Sequence, residues 1–225
     1  MATAQEMKLL LLPVLKQFPE WRYWRGWLFR MPIGLYLRGI AFKCSWSDRT
    51  AYEIRRCVYP LFDFPHEAHI GWSNSLPVPG TNNHGWSIKN RRFCEDLIEV
   101  MESDIVRTVG DIRTGAEFLD YLTYFRTMHG WQETGRALAF THMGELDKAL
   151  EQLRITAAHF RLPHMQRLTE AGAWARNVLE LIRLIEENSA AIPAHCEAVA
   201  QQAVQFNKLE KFWEPTPFVY DNASG

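Results

Sequence analysis

Between residues 114 and 211, apolar side chains recur at helical spacing in one run after another, and a capping motif and single glycines mark where runs begin and end. No other feature constrains the chain as much. Each amphipathic helix must bury one stripe, and helices joined by short loops bury it against their neighbours in sequence. Thr114-Gly115-Ala116-Glu117 spells a capping box, which predicts a helix that buries Phe118, Leu122 and Phe125 and stops near Gly130. Trp131 opens a second helix running to Met143, Gly144 ends it, and residues 146–160 form its antiparallel return. Two more helices, 164–187 and 193–212, extend the stack through Leu168, Trp174, Leu179, Ile182 and Ile185, then Val199, Ala203 and Phe206. Pro193 suits a first helical turn.

The front of the chain has a different period. A first helix is expected over residues 3–17, kinked or restarted near Pro13, with Leu9, Leu12 and Phe18 available for burial. An aromatic stretch follows, in which Trp21, Tyr23, Trp24, Trp27 and Phe29 interleave with Arg22, Arg25 and Arg30. Rings filling a core under arginine stems explain that mixture more simply than base stacking or membrane contact. Ile40, Phe42, Cys44 and Trp46 then alternate with polar or small residues as a half-buried strand does, and residues 52–59 and 68–72 supply two further strands. Residues 77–86 are rich in Pro, Gly and Asn and are expected to form a loop, followed by a helix over 91–106 that covers one face of the sheet. The expected fold is therefore α+β. A small antiparallel sheet with flanking helices occupies residues 1–110, a helical repeat-like region 111–212, and an extended tail 213–225, where each residue before a proline avoids the helical region.

Ala137, Phe140, Gly144, Leu146, Ala149 and Leu153 together resemble the tetratricopeptide repeat, whose small and large residues interlock two antiparallel helices. Trp131 stands two residues ahead of that family's usual tryptophan, and Arg161 replaces its proline. The resemblance implies an interaction scaffold and a protein partner. The strings Arg38-Gly39 and Pro60-Leu61-Phe62 resemble those of small bacterial toxin-immunity proteins, which implies the same class of role.

Charge narrows the partner little. Residues 1–60 carry ten Lys or Arg against four Asp or Glu, and the remainder fifteen against twenty-two, a split that can steer an encounter but names no ligand. Nucleic-acid binding is not inferred from it, and a membrane surface, for which residues 21–30 are the candidate, is not expected. Cys44, Cys57, Cys94 and Cys196 lack metal-site or disulfide-scaffold spacing and are expected to be reduced thiols. Residues 9–15 form too short a run for a signal peptide, so the expected location is cytoplasmic.

Candidate chemistry is sparse. His66, Glu67 and His69, with Asp63 and His84, suggest a metal, but the two histidines are three apart beside Pro65, not four apart on one helical face. No catalytic residue, metal ligand or cofactor is assigned. His195 beside Cys196 at a helix start, Ser45 and Ser47 near Asp48, and the loop at 80–85 each have a plainer structural role. Glu95, Asp96, Glu99, Glu102 and Asp104 offer an acidic binding face, but Glu95, Glu99 and Glu102 recur at helical spacing opposite the apolar set, so a solvated face is the expectation. The expected function is thus a non-catalytic protein-binding module, an immunity-type or docking protein, with Trp213 and Phe218 as partner-binding residues. The alternative is a hydrolase or metal-dependent enzyme with its site in residues 63–86. The hairpin register has a direct test: Ala149→Trp should overpack the helix contact and lower stability by about 1–3 kcal/mol, read as a reduced urea midpoint.

Overall fold

Strand register in the amino-terminal half is set by one close backbone approach. Gly39 lies opposite Phe29 in the strand pair β2–β3, and a Cβ there would strike the Leu28 carbonyl oxygen and stand 2.8 Å from Phe29 Cα. Only glycine lets the two strands meet at this distance. The computed structural model describes residues 3–63, 72–124, 131–160 and 171–221. It is an α+β protein, and the described residues divide into two compact units.

The first unit comprises residues 1–33, 37–58 and 73–111. Helices α1 (Ala4–Leu10) and α2 (Leu12–Gln17) are separate, with Pro13 in the first turn of the second and Thr3 and Glu6 closing a capping box on the first. They bury Met7, Leu11 and Val14, while Leu9 and Leu12, expected inside, are exposed. The break between the helices puts Met7, Leu11 and Val14, rather than Leu9 and Leu12, on the covered side. The aromatic stretch forms a hairpin, β1 (Trp21–Trp24) and β2 (Trp27–Arg30), joined by Arg25 and Gly26, both at positive φ. Such a two-residue turn matches the twist of the flanking strands.

β3 (Tyr36–Cys44) and the long β4 (Ala51–Pro60) follow β2 in the sheet. Two short strands share one edge of β4: β5 (Ser73–Ser75) opposite Arg55–Cys57, and β6 (Gly85–Ser87) opposite Ala51–Glu53. The expected loop at 77–86 thus ends in a strand. The strand expected at 68–72 lies outside the described residues except for Trp72, which precedes β5. The helix expected at 91–106 runs as α3 (Phe93–Val100), a π turn (Met101–Ile105) and α4 (Val106–Val109). Glu95, Glu99 and Glu102 are exposed, as expected of a solvated face, while the other two acidic residues make ion pairs. Asp96 is buried and pairs with Arg92 at 3.4 Å, and Asp104 pairs with Arg56 at 2.6 Å.

The second unit comprises residues 34–36, 59–72 and 112–225. Its helices are α5 (Gly115–Thr123), α6 (Trp131–Met143), α7 (Leu146–Phe160), α8 (Ala171–Glu187) and α9 (Ile192–Asn207). Each packs on the next. The Thr114 capping box is formed: its hydroxyl accepts from Glu117 N, and Glu117 accepts from Thr114 N. Ala137, Ala149 and Leu153 are buried, and Gly144 turns the chain at φ +75°. On α8 the buried stripe is Trp174, Val178, Leu181 and Leu184, one position away from the expected Leu179, Ile182 and Ile185. Leu179 is exposed, as is Phe206 on α9. Two neighbouring apolar stripes compete on α8, and packing against α7 and α9 selects the one that starts at Trp174. Phe125, Gly130 and Leu168 lie outside the described residues.

The Gly39 contact can be measured directly. Gly39→Ala should destabilise the chain by about 1–3 kcal/mol through overpacking against β2, seen as a lower denaturation midpoint.

Candidate functional site

The carboxy-terminal segment is the part of the second unit where polar and aromatic groups converge. After α9 the chain turns at Lys208, which is left-handed at φ 55°, and then runs extended from Glu214 to Tyr220. Thr216 passes Gly34 so closely that a Cβ there would lie 3.2 Å from its hydroxyl oxygen, and Tyr220 lies over Gly144 in the same way. Phe218 N donates to Glu197 Oε1 of α9 at 2.7 Å. The Phe218 ring is only 3% exposed, packed edge-on to Phe62 at 5.1 Å and beside His142 at 5.0 Å.

His142 is the centre of a buried polar chain. The Tyr36 hydroxyl and His142 Nδ1 share a hydrogen bond at 2.9 Å, and Nε2 on the other side of the ring faces Asp221 Oδ1 at 3.8 Å. Asp221 Oδ2 accepts in turn from Gly115 N at 2.8 Å, at the start of α5. A carboxylate there complements the unpaired amides and the positive end of the helix dipole. Burial pushes the His142 pKa down and Asp221 opposes that shift. Burial also holds the Tyr36 hydroxyl well above its ordinary value. Tyr36 and His142 are 1% and 4% exposed, so this chain of groups ties three parts of the unit together rather than meeting a substrate.

Beside this strap a cleft of about 310 Å³ opens, where Glu197, Ala200 and Gln201 of α9 face Trp213 and the Pro215–Pro217 run. Trp213 is half-buried, with its indole Nε1 covered and without a hydrogen-bond acceptor among the described residues, and Gln201 is exposed. The two residues expected to bind a partner are therefore placed differently: Trp213 lines the cleft, and Phe218 is packed inside its own unit.

The other candidates have local roles. His66, Glu67 and His69 lie outside the described residues. His84 is exposed and its Nδ1 is 3.0 Å from Ser75 Oγ. Asp63 is buried and accepts from the Trp174 indole at 3.2 Å. Among the described residues, no three acidic, His or Cys side chains gather as metal ligands. The Cys196 thiol is pushed far up by burial, the opposite of an activated nucleophile, and His195 is shifted down by its own burial. Asp48 caps its own turn through Thr50 N at 2.8 Å, and Ser45 and Ser47 contact each other at 3.2 Å. Nothing in the spacing of the sequence pointed to the Tyr36–His142–Asp221 chain, whose members are more than a hundred and nearly eighty residues apart. The one usable signal was a histidine late in an otherwise apolar helix face.

Comparison with family models, with curated proteins and with solved structures returns no match.

The buried imidazole makes stability depend on pH. A histidine whose pKa is lowered on folding binds fewer protons in the folded chain, so acidification below its ordinary 6.5 favours the unfolded state. The melting temperature should be highest above neutral pH and fall between about pH 7 and pH 5. His142→Gln should make that fall shallower, with His195, whose pKa is shifted the same way, contributing to the slope that remains.

Proposed function

We propose that this chain is a non-catalytic protein-binding module, and that the cleft between α9 and Trp213–Pro217 is where an extended segment of its protein partner docks. The cleft itself carries this reading: a helical unit offers about 310 Å³ lined by an indole, two prolines and the methyl of Ala200, with Glu197 and Gln201 at its polar side. Apolar walls with a few placed polar groups suit a short peptide segment, and tryptophan is a frequent energetic centre of such contacts. The strap lowers the cost of association, because Glu197, Phe218 and Asp221 hold the cleft wall in place before any partner arrives.

The resemblance of the α6–α7 hairpin to a tetratricopeptide unit supports the same role, since Ala137, Ala149 and Leu153 occupy its packed seam and Gly144 its turn. The immunity-type version rests on residues that are used for packing here. Arg38, Leu61 and Phe62 are buried and Gly39 abuts β2, so the docking reading stands on the cleft instead. All four cysteines are free thiols, which suits the cytoplasmic location we assign to the protein. No described helix is long and apolar enough to cross a membrane.

The test is quantitative capture with the intact chain as bait, followed by affinity measurement on the recovered partner. Gln201→Arg, at an exposed position on the mouth, and Trp213→Ala should each weaken binding, the latter by about thirtyfold, equivalent to a loss of about 2 kcal/mol at a hot spot. Melting temperature reports whether each variant remains folded. Undiminished capture by folded forms of both variants would remove the cleft from the interface.

A further inference from the structure

One end of the sheet in the first unit gathers cations around a single protruding indole. Trp46, in the β3–β4 turn, is 98% exposed, more than any other large apolar side chain described. The pairing places two other segments beside it. Phe42 N donates to Gly26 O, which sets Lys43 next to the Arg25 turn, and Ile88 N donates to Thr50 O, which sets Lys89 next to Arg49. Arg25, Lys43, Arg49 and Lys89 are all exposed, and none has a carboxylate within ion-pair distance among the described residues. Against these four charges stands Asp48, whose carboxylate is engaged by Thr50 N and by the Thr50 hydroxyl at 2.7 Å.

The turn is a made structure, so the indole is held out rather than loosely disposed. Ser45 N donates to Ala51 O, Ala51 N to Asp48 O, and Ser45 Oγ accepts from Ser47 N. Folding therefore leaves a large amphipathic ring in water at the centre of unpaired positive charge. Tryptophan favours the boundary between headgroups and acyl chains, and lysine and arginine beside it are drawn to anionic lipid.

We propose that this end of the sheet is a membrane-docking tip that inserts Trp46 among the headgroups of an anionic phospholipid surface while Arg25, Lys43, Arg49 and Lys89 contact lipid phosphates and carboxylates. Shape decides between lipid and nucleic acid. A single-strand site needs a groove with successive stacking rings. Here one ring projects from a turn, and the indole beside Arg25, Trp24, is half-buried with Arg25 over its face at 5.8 Å. Of the residues first suspected of membrane contact, 21–30, only Arg22 and Arg25 are exposed, and Trp21, Leu28 and Phe29 are fully buried. The tip shares only Arg25 with that stretch and is independent of the cleft on the second unit.

Co-sedimentation of the full chain with vesicles tests this. The protein should pellet with phosphatidylcholine vesicles containing phosphatidylserine, pellet far less with phosphatidylcholine alone, and lose binding as salt is raised. Lys43→Gln and Arg49→Gln should each reduce the partition coefficient about fivefold, the equivalent of one cation at an anionic surface. Trp46→Ala should reduce it at least as much with an unchanged melting temperature, because that side chain touches almost nothing in the folded protein. The proposal is overturned if the wild type fails to pellet with the anionic vesicles, or if Trp46→Ala pellets as well as wild type. Binding of a single-stranded oligonucleotide, lost in Trp46→Ala and unaccompanied by vesicle binding, would also overturn it and assign the tip to nucleic acid.

Discussion

The return of the carboxy-terminal segment over the helical unit is the contact on which the rest of that unit depends. Phe218 closes an aromatic cluster whose other members, Phe62, His142, Tyr36 and Phe118, come from four separate stretches of the chain. Asp221 then supplies the acceptor that the start of α5 lacks, and Glu197 supplies one for the segment's own backbone. An extended strand with two prolines has little internal hydrogen bonding, so these borrowed partners are what hold it. Because the segment is held, Trp213 and Pro217 form a wall, and a cleft exists between them and α9.

The same principle, polar groups satisfied by distant partners, runs through the core beneath. The Trp72 indole donates to Trp131 O, the Tyr121 hydroxyl to Trp72 O, and the Trp174 indole to Asp63. Gly135 is the residue that admits Trp72, since a Cβ there would stand 2.6 Å from the indole nitrogen. An acceptor for the one polar atom of each of these rings fixes their orientation more narrowly than apolar packing would, whereas the buried Trp21 indole nitrogen has no acceptor among the described residues. In the first unit the corresponding restriction is the Gly39 approach, which aligns β2 with β3 and thereby brings the Arg25 turn level with Lys43 and the Trp46 turn.

Local chemistry was a good guide where the cause is local. The Thr114–Glu117 capping box, the glycine at 144, the break at Pro13 and the helices beginning at Trp131 and Leu146 all depend on residues within a turn of one another. Periodicity was a poorer guide where two stripes compete. Leu9, Leu12, Leu179 and Phe206 fit an apolar face on paper and are exposed, because which stripe is covered depends on the helix that arrives opposite. The Trp21–Arg30 stretch reads as core in either case, but its hairpin turn at Arg25-Gly26 carries none of the usual Asn-Gly or Asp-Gly signal and was not legible as a strand pair.

For the candidate sites the division is sharper. The sequence by itself determined that residues 213–218 run extended, because proline forbids the helix, and that helices with small residues at their seams stack from 114 onward. Tertiary structure alone decided that Phe218 is core and Trp213 is wall, that His142 lies between Tyr36 and Asp221, and that Trp46 is the indole left in water. Each of these outcomes depends on contacts between residues far apart in the chain. Side-chain type states what a residue can do once buried or exposed, whereas the close approach of other elements determines which of the two it becomes.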